Sequence, residues 1–211
     1  MRAKWMLLAG TLCVLLAPHL GMPMWLYPPF GVAMCALMLR RQGLGFADVG
    51  LCGRGLRARP LLLGGALGLA YAAANYLAIG PLLARLLGEL PDLSDFAFVR
   101  RSSTGYLVAL VLAWLIGGLY EELVFRGFLQ GMLERHLPAR PARPAAAMAI
   151  TVLVFAAYHA QLGAFGVANA LVFGLVVAAI RNRWRANLWY AVGFHACADS
   201  AAFTLMRLGY L

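Results

Sequence analysis

Charge is scarce in this chain. Asp, Glu, Lys and Arg make up 12% of its 211 residues and hydrophobic residues 63%, where a soluble domain carries about 25% and about 45–50%. With a mean hydropathy of +0.78, the shortage excludes a soluble globular protein and predicts a polytopic membrane protein. Cysteine is scarce too. Cys13, Cys35, Cys52 and Cys197 show no C-x-x-C spacing, which argues against a disulfide framework or a zinc knuckle, and three of them fall in apolar runs where a thiol acts as a small hydrophobe. No internal repeat or low-complexity tract is present.

What is present is a series of apolar runs at 5–20, 24–39, 61–84, 105–127, 145–162, 164–180 and 187–206. They predict an all-α fold, a polytopic transmembrane helical bundle of about seven helices at about 20 residues each. The expected organisation is a single membrane-embedded domain over 1–211, with N-terminal spans and loops over 1–104 and core helices over 105–206. The net charge of +10 is no nucleic-acid signal, because the arginines are dealt out between apolar segments and form no patch with interleaved aromatics. It reads as topology. Thirteen of the eighteen Lys and Arg residues, from Arg2 and Lys4 to Arg181, Arg183 and Arg185, fall on one side, while Arg85, Arg100, Arg101 and Arg207 fall on the other and Arg126 lies within a span. The N-terminus is therefore expected in the cytoplasm and the C-terminus outside.

Pro18, Pro23, Pro28 and Pro29 interrupt the first two runs, which predicts tilted helices or a hairpin entering part of the bilayer. Arg2 and Lys4 ahead of an apolar core resemble a signal peptide, but Ala17-Pro18-His19 is a poor small-residue cleavage site, so a retained anchor is expected. The Gly- and Arg-rich stretch from Arg40 to Pro60 reads as a cytoplasmic loop suited to anionic lipid headgroups. The Gly- and Ala-rich run from Leu61 to Leu87 is a signal for close helix packing in lipid, and Gly88 to Thr104 reads as a polar external loop.

Chemistry enters where ionisable groups interrupt the last runs. Ionisable side chains in hydrocarbon are costly unless they face one another or a polar cavity, so each is a candidate for function. Glu121, Glu122 and Arg126 share one run, His159 stands in a second, and His195 with Asp199 in a third. On a helix Glu122 and Arg126 share a face and Glu121 projects about 100° away, so the two carboxylates address different partners. Taken singly, each set has a structural reading: an interfacial ion pair for Glu122 and Arg126, a packing histidine for His159, and helix glue for His195 and Asp199. Together they exceed what helix glue needs. Such a set can activate water through a carboxylate assisted by imidazole, with a donor group stabilising the oxyanion, which is hydrolysis of an acyl bond.

In order along the chain these residues spell E-E-x-x-x-R at Glu121, Glu122 and Arg126, F-x-x-x-H at Phe155 and His159, and H-x-x-x-D at His195 and Asp199. Over roughly 106–202 the chain resembles the CPBP family, the CAAX proteases and bacteriocin-processing or Abi membrane proteins. The resemblance implies an intramembrane endopeptidase, glutamic-type or metal-assisted, in a bacterial inner membrane. It would act on a protein or peptide substrate at the lipid bilayer, such as a lipid-modified tail, a leader peptide or a transmembrane segment. It further implies that Glu121 and His159 activate water, that Glu122 and Arg126 fix the first carboxylate, and that His195 and Asp199 help form the oxyanion pocket. Where relatives carry Asn, Asp199 would have to be protonated or orient His195.

Glutamate and histidine also ligate zinc, which leaves a divalent metal open, although the H-E-x-x-H spacing is absent, as are G-x-S-G and G-x-G-D centres. At about 1.5 Å per residue, Glu121 and His195 fall in the cytoplasmic part of their spans, whereas a span from Ala145 would carry His159 too far outward. His19 and His136 are expected to be span-end residues without a role. Two rival readings remain: a small proton-coupled transporter, and a non-catalytic membrane scaffold or immunity protein.

Overall fold

The computed structural model describes residues 2–184 and 187–211, with side chains from Trp5 onward. Arg185, counted above on the richer side, lies outside the described residues, as do the side chains of Arg2 and Lys4. Eight helices and no strands occur among the described residues: α1 Arg2–Leu16, α2 Tyr27–Arg40, α3 Ala58–Leu87, α4 Ala97–Arg101, α5 Ser103–His136, α6 Arg143–Tyr158, α7 Gly163–Arg183 and α8 Trp189–Leu208. Seven answer to the seven apolar runs, and α4 is a short turn of helix in the expected external loop.

Three helical segments are long and apolar enough by length and composition to cross a membrane: Ala58–Leu87, Ser103–His136 and Ala160–Arg183. Helices α1 and α2, at 15 and 14 residues, rise only about 22 Å and 21 Å against a hydrocarbon core of about 30 Å. This agrees with segments that reach part of the bilayer. Pro28 and Pro29 do not break α2; they occupy its first turn, where a missing N–H costs nothing. Ser102 caps α5 by accepting the Gly105 N–H at 2.9 Å. The loop from Arg40 to Pro60 carries two short 3-10 turns, Phe46–Val49 and Gly53–Gly55. It is tied to the start of α8 by the Leu188 N–H on Gly50 O at 2.8 Å and the Trp189 indole on Cys52 O at 2.9 Å.

The small residues of α3 act as their spacing suggests. Gly64 and Gly68 lie on the backbone carbonyls of Tyr190 and Phe194 so closely that a Cβ on either would overlap them, and Gly193 presses in return on Leu61 O. Backbones meet because there is no side chain between them, which in lipid supplies the attraction that apolar burial cannot. Phe125, Phe128, Phe155 and Phe194 are buried at the centre of the bundle.

Neither α3 nor α5 is α-helical throughout. Asn75–Ile79 in α3 and Ala113–Leu129 in α5 are wound as π-helix, a conformation that is rare and frequent at functional positions. In α3 it immediately precedes Gly80 and Pro81, where proline withholds the N–H that an α-helix would need. In α5 it spans Glu121, Glu122 and Arg126.

Candidate active site

Helix α5 meets α8 through Gly117 and Gly118. A Cβ on Gly117 would overlap the Asp199 carboxylate and come within 3.2 Å of His195 Nε2, and one on Gly118 would sit 2.9 Å from Ala196 Cβ. The gap lets the His195 and Asp199 face of α8 stand against α5 one turn from the paired glutamates. His195 Nδ1 donates to Glu122 Oε1 at 2.7 Å, and the same oxygen accepts from Arg126 Nη1 at 3.2 Å. Glu122 and Arg126 are 0% exposed. A buried charge is tolerable only when paired in this way.

The other edge of His195 is loosely held. Its Nε2 stands 3.4 Å from Asp199 Oδ2 and 3.9 Å from Glu121 Oε2, and neither contact is a formed hydrogen bond. Glu121 Oε2 is buried with no partner among the described residues, and the Asp199 side chain is 34% exposed. Four of the six expected residues, Glu121, Glu122, Arg126 and Asp199, therefore gather around the imidazole of a fifth, His195. The pairing differs from the expectation in one respect: Glu122 and Arg126 fix His195, and Glu121 is left free.

His159 is joined less directly. It follows the last residue of α6, which ends at Tyr158, short of the expected 162. Its Nδ1 meets Phe155 O at 2.8 Å; a carbonyl only accepts, so Nδ1 carries the hydrogen and Nε2 keeps its lone pair. The ring lies 4.6 Å from that of Phe155, whose own ring is 6.3 Å from His195. No hydrogen bond joins His159 to Glu121.

The structure gives Phe155, known from the sequence only as part of its motif, a central place and adds neighbours that the sequence reading did not assign. Phe155 is the hub of the site: the Arg126 guanidinium lies 4.0 Å above its ring, and Gly174 on α7 leaves room for both. Phe173 stands 4.6 Å from the His195 ring. From the N-terminal hairpin, Tyr27 packs on Tyr120 at 5.5 Å and His19, dismissed above, on Tyr158 at 4.8 Å. The one available signal was Gly117-Gly118 ahead of the glutamates, the same small-residue cue that marked α3. Further along α5, Gln130 bonds Asn182 at 2.9 Å and Arg181 grips Glu134 with both terminal nitrogens. His136 bonds Met132 O at 3.0 Å, as a helix-end residue does.

Comparison with protein families matches residues 103–201 to the family described as type II CAAX prenyl endopeptidase Rce1-like. Those residues run from the start of α5 into α8 and contain all six residues of the constellation. Over that region the chain is similar to the CAAX proteases. The Rce1-like region leaves out α1 to α3, which nonetheless supply Tyr27, His19 and the glycine face under α8. No curated protein and no solved structure matches the chain.

Zinc was left open by donor chemistry. Among the described residues no group of three or more His, Cys, Asp or Glu side chains is arranged to hold a metal ion, since Glu122 and His195 are spent on each other. The chemistry below is derived from the side chains.

Proposed function

We propose that the protein is an intramembrane endopeptidase that hydrolyses a peptide bond with water activated by Glu121. The observation that carries this reading is the free Glu121 Oε2, buried and 3.9 Å from His195 Nε2. That distance is too long for a hydrogen bond and short enough for one water bonded to both groups. Glu121 takes a proton from the water as its oxygen attacks the carbonyl carbon, and the proton then passes to the leaving amine as the C–N bond breaks. His159, with its Nε2 lone pair, is a second acceptor for the hydrogens of the water. His195, held through Nδ1 by Glu122 and Arg126 and carrying a proton on each ring nitrogen, donates its Nε2–H to the developing oxyanion, with Asp199 orienting it.

The resemblance to type II CAAX prenyl endopeptidases points to prenylated CAAX tails as the substrate class. The basic-residue asymmetry supports a cytoplasmic N-terminus, and the resemblance to the CPBP family supports a bacterial inner membrane. The test is cleavage of a quenched peptide with an S-farnesylated C-terminal tail, alongside a tail-peptide library read by mass spectrometry, in proteoliposomes of the wild type, Glu121→Gln and His159→Ala. Products expected from the wild type should vanish in Glu121→Gln and fall steeply in His159→Ala, and activity should survive 1,10-phenanthroline.

One observation favours transport instead: polar side chains continue down α5 from Arg126 through Gln130 to Glu134, which pairs with Arg181 of α7. Proton flux across those liposomes, with no cleavage products, would establish that reading.

A further inference from the structure

A second set of unpartnered polar atoms lies beside the catalytic one. Tyr71 OH, Asn75 Oδ1 and Asn169 Oδ1 are buried with no hydrogen-bond partner among the described residues. Tyr71 and Asn75 are one turn apart on α3, and Asn169 is on α7. Two contacts fix how these helices lie. The Tyr71 ring is 5.4 Å from Phe173, and a Cβ on Gly80 would be 3.9 Å from the Phe165 ring. Rising numbers on α3 meet falling numbers on α7, so Asn75 comes to the level of Asn169.

The same reasoning relates them to the catalytic residues. Phe173 touches His195 at 4.6 Å and Phe194 at 5.3 Å, and Tyr71 touches Phe194 at 5.5 Å. One turn on, toward the start of α7 and the end of α8, Asn169 comes level with Asp199. The amides thus occupy the layer next to His195, on the side where its Nε2 is loosely held and Asp199 is partly exposed.

Helix glue would explain two asparagines at facing positions if they bonded each other, but neither oxygen has a partner. Burying an unsatisfied amide oxygen in a membrane bundle is costly, and each such group calls for an explanation. An independent irregularity coincides with it: Asn75 opens the π-helical turn of α3, where the backbone leaves regular α geometry. The available chemistry is two carbonyl acceptors and one hydroxyl, which complements the N–H and C=O groups of an extended peptide and offers no charge to a charged ligand.

We propose that Asn75, Asn169 and Tyr71 form a subsite that holds the main chain of the substrate next to the scissile bond, the amide oxygens accepting substrate N–H groups and the Tyr71 hydroxyl donating to a substrate carbonyl. This rests on the protease reading. It makes Asn75 and Asn169 binding residues, and it gives α3, which lies outside the Rce1-like region, a part in substrate recognition.

The test uses the full chain in lipid nanodiscs with the quenched S-farnesylated tail peptide. On the uncleaving Glu121→Gln background, Asn75→Leu and Asn169→Leu should each raise Kd about tenfold and Tyr71→Phe about threefold, from loss of hydrogen bonds to a buried peptide. In the wild-type background KM should rise by similar factors while kcat stays within about twofold, a split that general loosening of the bundle would not give. A peptide with one amide near the scissile bond replaced by an ester should bind the parent protein about tenfold more weakly and suffer no further loss in the matching Asn→Leu variant. Equal Kd for all variants, no binding to any of them, or a fall in thermal stability without a change in Kd would each overturn the subsite. Expected Kd losses with no cleavage by the wild type would uphold the subsite and overturn the protease reading.

Discussion

The two edges of His195 are built differently. On the Nδ1 side, Glu122 and Arg126 are fully buried, bonded at 2.7 and 3.2 Å, and roofed by Phe155. On the Nε2 side, contacts lengthen to 3.4 and 3.9 Å, a carboxylate oxygen of Glu121 has no partner, and Asp199 opens to its surroundings. The first edge holds Nδ1 through Glu122 Oε1, which Arg126 Nη1 also reaches, and so fixes the imidazole in place, while Glu122 Oε2, Arg126 Nε and Arg126 Nη2 have no partner among the described residues. The second edge holds Nε2 by no hydrogen bond among the described residues and stands beside the partly exposed Asp199, which leaves it the edge open to water and substrate. In the proposed mechanism one residue joins a fixed frame to a reactive face, and the contrast separates positioning from chemistry.

Four substitutions break or sharpen that contrast. Glu121→Gln removes the free base from the open edge while keeping its shape; cleavage of the farnesylated peptide should fall by about 10²–10⁴-fold with thermal stability unchanged. Glu122→Leu attacks the closed edge and leaves Arg126 buried without its partner. Here stability itself should fall, by about 3–5 kcal/mol, measured by denaturant titration in micelles. A loss of activity from Glu122→Leu with full stability would erase the distinction between the edges. Gly117→Ala drives a methyl group against Asp199 and His195; a displacement of about 1 Å in catalytic geometry costs about 10²-fold in kcat, with a smaller stability change than Glu122→Leu. Glu134→Gln, in the outlying ion pair with Arg181, should cost about 1 kcal/mol of stability and leave kcat within twofold; a large fall in kcat would extend the frame beyond Arg126.

Several of these features were legible in order along the chain. The helical class followed from apolar runs, the close packing of α3, though not its partner, from its small residues, and the pairing of Glu122 with Arg126 from i,i+4 spacing. Other features were not legible. That Glu122 also takes His195 depends on two residues far apart in sequence, and spacing along one helix says nothing of a partner on another. The depth of His159 was counted from a span start at Ala145 with His159 inside the span, whereas the helix runs from Arg143 to Tyr158 and His159 follows its last turn. The π-helical stretch of α5 gave no warning, because hydrophobic periodicity averages over a helix whose local winding is set by its neighbours.

By itself the sequence determined that the chain is a membrane bundle of apolar helices and that six ionisable or polar residues on three of them form a candidate hydrolytic set, because burying such groups in lipid demands a reason local to each segment. Only the tertiary structure decided which carboxylate is bound and which is free, and that Asn75 and Asn169 come to the level of the reactive edge. Those are distances between helices, fixed where Gly64, Gly68, Gly117 and Gly118 let backbones approach; composition carries that information only as permission, and packing turns it into geometry.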